Sequence, residues 1–427
     1  MSEGNPYTLS IFFSVLKNLG PSVSGRTTRS KSYEKLMSMK QNDKNIPSFK
    51  KSNSKRILFL LVTFQLAGIG FFLNCTNSSE RIVEPTLQPI LEEKIPTFQP
   101  RFNRKRPVIA VIGENKYTEL SDFIVPYGVL TRSQTADVYA LGTNSGPMRM
   151  FPALQIEIQT TLSDFDRSFP DGADFVIVPA VHDSENSTLI RWIQSQASKG
   201  AVIVGICDGV WLVANSGLLS GKRATGHWYS LNNLEKKFTQ TKWIRNRHYV
   251  VDKKIITTTG VTASIPVSIA LVQSIAGKEK AERIAKEFGV NDWGTEHNTS
   301  NFKFENKHYW IAAKNLLSFW SYENIAMKVF PGMDEVTLAL VADSYARTFK
   351  TNVFAISNSE QTIRTRGGIF LIPERTSKDE SANNHSIQFS ENQSSVAALN
   401  QALAHIADLY GKITSSFVAL QIEYDVR

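Results

Sequence analysis

The stretch "AVIVGICDGVWLVANSGLL", Ala201–Leu219, carries Cys207, one of only two cysteines in 427 residues. An unbroken apolar run enters it, a Cys-Asp-Gly step follows, and a helix-like segment closes on Gly217. Such a run has the pattern of a strand buried on both faces of a parallel sheet. Sheets of that kind carry their sites at the carboxyl ends of the strands, where Cys207 falls. A thiol at the start of a helix gains two things. The helix dipole favours the thiolate, and free backbone N–H groups can hold a developing oxyanion. Gly205 and Gly209 permit the tight turn of a Gly-x-nucleophile-x-Gly elbow. A buried structural cysteine is the competing reading.

Working outward, further apolar runs appear at Val108–Gly113, Ala136–Gly142, Ala173–Ala180 and Lys254–Gly260, with a helical pattern at Ser187–Gly200. Strands alternating with amphipathic helices predict an α/β domain over 107–290 with a flavodoxin-like parallel sheet between helices. Residues 291–323 read as a connection that includes the helical "KHYWIAAKNLLSFW". From 324 to 427 a smaller, degenerate α/β module repeats strand, Gly-containing turn and helix in "NIAMKVFPGMDEVTLALVADSYARTF". "RGGIFLIP" (Arg366–Pro373) reads as another buried strand, "ERTSKDESANNHSIQFSENQSS" as a loop, and Val396–Tyr410 as a closing helix.

The net charge of +9 is concentrated at one end. Residues 1–56 hold 11 Lys/Arg against 3 Asp/Glu, leaving the remainder near neutrality. With no helix-turn-helix pattern to receive it, this basic arm does not indicate nucleic-acid binding. "ILFLLVTFQLAGIGFFL", Ile57–Leu73, is uncharged and follows the cation-dense "FKKSNSKR". Residues 57–74 are therefore expected to form a single transmembrane helix. The arm would be cytoplasmic and the body extracytoplasmic, either periplasmic or extracellular. A cleaved signal peptide is the alternative. Residues 75–106, rich in Pro, Ser and charge, read as a linker.

"GICDGVWLVANSGLLSGKRATGHW" (Gly205–Trp228) resembles the elbow-to-histidine segment of the DJ-1/PfpI family in the class I glutamine amidotransferase-like superfamily. The branch it is most similar to is the one fused to AraC-type regulators, here without a DNA-binding tail. The likeness extends through "VIAVIGENKYTELSDFIVPYGVL" and "TTTGVTASIPVSIALVQSIAGKEKAERIA". It implies that Cys207 is the nucleophile and that His227 lies near it. It also implies that Asp122, four residues before Pro126, is the acid that bonds the sulfur, with Glu119 a weaker candidate read as a solvated charge. The backbone N–H groups of Asp208 and Val181 would form the oxyanion site. Three positions depart from the family pattern. Ala180-Val181 replaces a common Gly-Gly, Asp208 stands where protease-like members have His, and Pro266 replaces a frequent Asp.

The implied function is cysteine chemistry of hydrolase or hydratase type on a small carbonyl, amide or related substrate, with no cofactor or metal. A non-catalytic ligand-binding or redox-sensing module of the same fold is the alternative. Expected partners are the small molecule, the membrane through 57–74, and a second copy in a homodimer.

Overall fold

Val108–Gly113 (β1) shows how the main sheet is built. Ile109 and Val111 enter one core while Val108, Ala110 and Ile112 enter another, so both faces of the strand are buried. In the computed structural model, β1 joins Asp137–Gly142 (β2), Phe175–Val178 (β3), Val202–Gly205 (β4), Tyr249–Asp252 (β5) and Ile255–Thr258 (β6). With the short Thr160–Thr161 strand these make a seven-stranded sheet ordered β5-β6-β4-β3-β1-β2-Thr160–Thr161. Every pairing is parallel except β5 with β6. The structure describes residues 93–378, 385–390 and 392–425.

Helices cover both faces. Leu120–Ser133 (α1), Ser264–Ala276 (α6) and Lys278–Phe288 (α7) bury side chains in one core. Leu162–Ser168 (α2), Ser187–Ser198 (α3) and Val210–Asn215 (α4) bury theirs in the other. Trp228–Lys237 (α5) follows the short Arg223–Ala224 strand. This α/β arrangement, with a mostly parallel sheet between helices, is the one expected over 107–290.

Asn306–Leu317 (α8) leads to a four-stranded, wholly parallel sheet. Its inner strands are Glu323–Lys328 (β7) and Thr351–Ser357 (β8). Its outer strands are Arg375–Thr376 and His385–Ile387. Glu335–Ala346 (α9), Ser395–Tyr410 (α10) and Lys412–Gln421 (α11) pack with it. The described residues fall in one compact unit. Helix α9 lies along α1, and the crossing is close because position 128 is glycine. A Cβ there would come within 2.4 Å of the Val336 Cγ2. A mixed sheet joins the same regions through main-chain pairing of Phe370–Leu371 with Ile156–Glu157.

Several expectations need correction. "RGGIFLIP" holds only the two-residue strand Phe370–Leu371, in the mixed sheet and preceded by a turn that closes Thr365 N onto Ile369 O. The polar stretch taken as a loop supplies both outer strands of the second sheet. The end of the linker has no helix or strand but is held down. Glu93 accepts from Val251 N at 2.9 Å and pairs with Arg223, and Arg104 binds Asp174 at 3.0 Å. The basic arm, the 57–74 span and linker residues 75–92 lie outside the described residues. Among the described residues, no helix is long and apolar enough to cross a membrane.

Candidate active site

Strand β4 ends at Gly205, and Ile206 continues it while donating to Val178 O at 2.9 Å. Cys207 then turns the chain with φ +52°, a left-handed conformation that costs a non-glycine residue energy and persists only where its surroundings enforce it. Gly209 donates to Ile206 O at 2.7 Å, and Cys207 N donates to Thr258 Oγ1 at 3.1 Å. Gly209 is required here because a Cβ would lie 2.0 Å from Val178 O. The elbow thus presents Cys207 at the carboxyl end of β4.

The thiol is buried, and burial pushes its pKa up. Ionised, Asp122 would add most to this rise, followed by Asp208 and Glu119, while Arg347 opposes them; protonated, Asp122 can instead donate to the sulfur. This corrects the expectation of a thiolate favoured by the helix dipole. Cys207–Gly209 is a 3-10 turn and the following α4 has six residues, too short a helix to outweigh desolvation.

Asp122 lies in the first turn of α1 and is fully buried. Its Oδ2 accepts from Ala180 N at 3.2 Å, whereas Oδ1 has no hydrogen-bond partner among the described residues. Burial raises this carboxyl well above the usual carboxylate range, which favours its protonated form. A protonated carboxyl with a free oxygen can donate to a developing anion.

Cys207, Asp208, Ala180, Glu119, His227 and Arg347 line one cavity of about 290 Å³, completed by aromatic side chains including Tyr117, Phe151 and Phe304. A larger and more open hollow of about 780 Å³, lined by His248, His297 and Glu423, contains no nucleophile of this kind. The smaller cavity is the one that brings Cys207 and His227 together. His227 N-caps α5, with Nδ1 accepting from Tyr229 N at 3.4 Å and Nε2 lying 3.2 Å from Gln421 O. Val181 is not in the cavity wall. It forms an antiparallel bridge with Thr118, and its neighbour Ala180 faces the cavity instead.

Residues 108–274 match the DJ-1/PfpI family. This segment is a DJ-1/PfpI domain. Isonitrile hydratase of Pseudomonas putida is 28% identical over 167 residues, which cover 38% of this chain and 70% of that protein. Protein dj-1beta of Drosophila melanogaster is 27% identical over 174 residues, or 39% of this chain and 89% of that one. The HTH-type transcriptional regulator CdhR of Pseudomonas aeruginosa is 29% identical over 100 residues, covering 23% of this chain and 30% of its own length. The crystal structure of Drosophila melanogaster DJ-1beta superposes with a TM-score of 0.39 at 25% identity, over 44% of this chain and 100% of that one.

Part of the wall around the DJ-1/PfpI domain's cysteine comes from outside the domain. Arg347, at the end of α9, donates from Nη2 to Glu119 Oε1 at 2.6 Å and from Nε to Asp343 Oδ1 at 2.7 Å. Ser121 Oγ donates to Asp343 Oδ2 at 3.1 Å. Glu119 caps α1 by accepting from Asp122 N at 2.5 Å. It is therefore a buried, ion-paired group and not the solvated charge expected. Nothing in the sequence pointed to Arg347, whose partner is 228 positions away.

Proposed function

We propose that the DJ-1/PfpI domain is a cysteine-dependent hydratase or hydrolase acting on small molecules with an electrophilic carbon, a carbonyl, amide or isonitrile. The observation that carries this reading is Cys207 held at φ +52° in the same small cavity as His227. Asp122, behind the cavity wall with an unpartnered Oδ1, is near enough to act on the sulfur's charge. Likeness to an isonitrile hydratase supports the substrate class.

In this reading the thiol proton passes to His227 as Sγ bonds to the substrate carbon. With an amide, the π electron pair moves to oxygen, where the Asp208 N–H and the Asp122 carboxyl steady the charge. The C–N bond then breaks as that pair returns, the amine takes the proton from His227, and a thioester remains. Water gives a proton to His227 as it adds to the thioester carbon, the S–C bond breaks, and sulfur takes that proton back, so that amide and water give acid and amine. With an isonitrile, the terminal carbon takes the thiol's proton through His227, leaving a thioimidate. Water adds across its C=N bond, the S–C bond breaks, and sulfur recovers a proton as the N-substituted formamide leaves.

A redox-sensing role is the alternative; burial disfavours the thiolate that either role requires, and a proton acceptor, His227, in the same cavity favours the catalytic one. The module from 324 onward is read as a built-in packing partner, supported by the close α1–α9 crossing and by Arg347 in the cavity wall. Residues 57–74 are read as the membrane anchor, with the body outside the cytoplasm. Exposed Trp310, Phe319 and Trp320 agree with a bilayer interface close by.

Product formation from a panel of small amides, aldehydes and isonitriles tests the reading. Turnover by the wild type that falls to background in Cys207→Ala supports it. Equal rates in the two proteins overturn it.

A further inference from the structure

The last described turn of the chain is fastened to the cavity wall. Thr262 N donates to Ile422 O at 3.2 Å, Thr262 Oγ1 to Glu423 O at 2.7 Å, and Trp228 Nε1 to Leu420 O at 2.8 Å. These bonds carry Glu423 inward, where it is only 2% exposed and has φ +55°. Its Oε2 accepts from Gly260 N at 2.7 Å and from Trp228 N at 3.3 Å, and its Oε1 lies 2.8 Å from His297 Nε2. Gly260 makes this approach feasible, since a Cβ there would sit 2.4 Å from the Glu423 Cβ.

The same carboxylate stands 3.9 Å from His227 Nε2. His227 Nδ1 accepts a backbone N–H, so the neutral ring must hold its proton on Nε2, directed at Gln421 O and Glu423. Nδ1 is the nitrogen without a proton, and taking one up requires the long 3.4 Å contact to Tyr229 N to open. Protonation there creates an imidazolium beside a buried carboxylate. An opposite charge within about 4–6 Å favours the charged form.

We propose that Glu423 is a positioning residue for His227. Gln421 O and the Tyr229 N–H set the Nε2–H tautomer, and the Glu423 carboxylate 3.9 Å from Nε2 stabilises the imidazolium, so that this turn completes an acid–base pair in the DJ-1/PfpI site. The inference rests on the reading of His227 as proton acceptor given above. Asp208, Glu119 and Arg347 face His227 across the cavity, and Tyr229 lies beside it. His297, whose ring lies tilted against His248 with centroids 4.5 Å apart, holds the far side of Glu423.

The test is histidine NMR on the full chain, with the His227 signals identified by their loss in His227→Gln. Ring-nitrogen shifts of the wild type at high pH are expected to report the Nε2–H tautomer. An Nδ1–H tautomer overturns the proposal without recourse to any variant at position 423. In Glu423→Gln the His227 titration midpoint is expected to fall by about one unit relative to wild type, as loss of a nearby opposite charge requires. Glu423→Asp is expected to recover part of that fall. An unchanged midpoint in a folded Glu423→Gln overturns the proposal. Because the readout is His227's own titration, it is independent of whether Cys207 turns over any substrate.

Discussion

Arg347 and Glu119 form a buried ion pair at 2.6 Å across 228 positions, tying the end of α9 to the cap of α1. The cap is also where Asp122 N is held, so this pair links the second sheet region to the position of the acid. Removing one partner of such a pair strands a buried charge at a cost of about 3–5 kcal/mol. Burial pushes the Glu119 carboxyl well up and Arg347 opposes that rise, so Arg347→Met should lower unfolding free energy by up to about that amount in urea titrations, less to the extent that Glu119 takes up a proton instead. A loss under about 1 kcal/mol would show that water reaches these carboxylates.

The α1–α9 crossing gives a second prediction. Gly128→Ala places a Cβ 2.4 Å from Val336 Cγ2 and 2.9 Å from Glu335 Oε1. Overpacking of this kind costs about 1–3 kcal/mol. Gly128→Ala/Val336→Ala should recover part of that loss, measured by the same urea titration. Equal stability of wild type and Gly128→Ala would mean that the two helices separate freely.

Glu114 supplies a pH dependence. Burial raises its pKa from 4.5 to about 7, so the folded state holds this proton more tightly than the unfolded chain. The associated stability is fully present below pH 4.5 and is lost as pH rises to about 7. Glu114→Gln should flatten this fall, gaining on wild type at pH 8, by no more than about 2 kcal/mol given solvent screening, and nothing at pH 4. Parallel stability profiles for the two proteins would contradict the assignment.

Much of the main sheet could be read from sequence because β1, β3 and β4 are buried on both faces and so appear as unbroken apolar runs. Cys207 was legible for a local reason, a nucleophile between two glycines at a strand end. Arg347 and Glu423 were not. Each acts on the site from a distance of 228 or 163 positions, through contacts with Glu119 and Gly260 that no local pattern encodes. Arg375–Thr376 and His385–Ile387 were missed because two or three polar residues at a sheet edge carry no periodicity. The direction of the Cys207 shift was misjudged because sequence gives helix polarity but not burial.

The membrane reading predicts that the intact chain sediments with membranes and resists carbonate extraction. Residues after 74 should be protease-accessible only from the non-cytoplasmic side. A soluble mature protein beginning near residue 75 would replace the anchor with a cleaved signal.

The central claim, that Asp122 and Cys207 act together, is tested most directly by the pH dependence of Cys207 alkylation with iodoacetamide. Burial predicts a wild-type midpoint above the ordinary thiol value of about 8.5. If the protonated carboxyl of Asp122 donates to the developing thiolate, Asp122→Ala removes a charged hydrogen bond worth about 1.5–3 kcal/mol. The midpoint should then rise by a further one to two units or so in Asp122→Ala, and by less in Asp122→Asn, which keeps a donor. Superimposable profiles, or the lower midpoint expected on removing an ionised Asp122, would contradict the account.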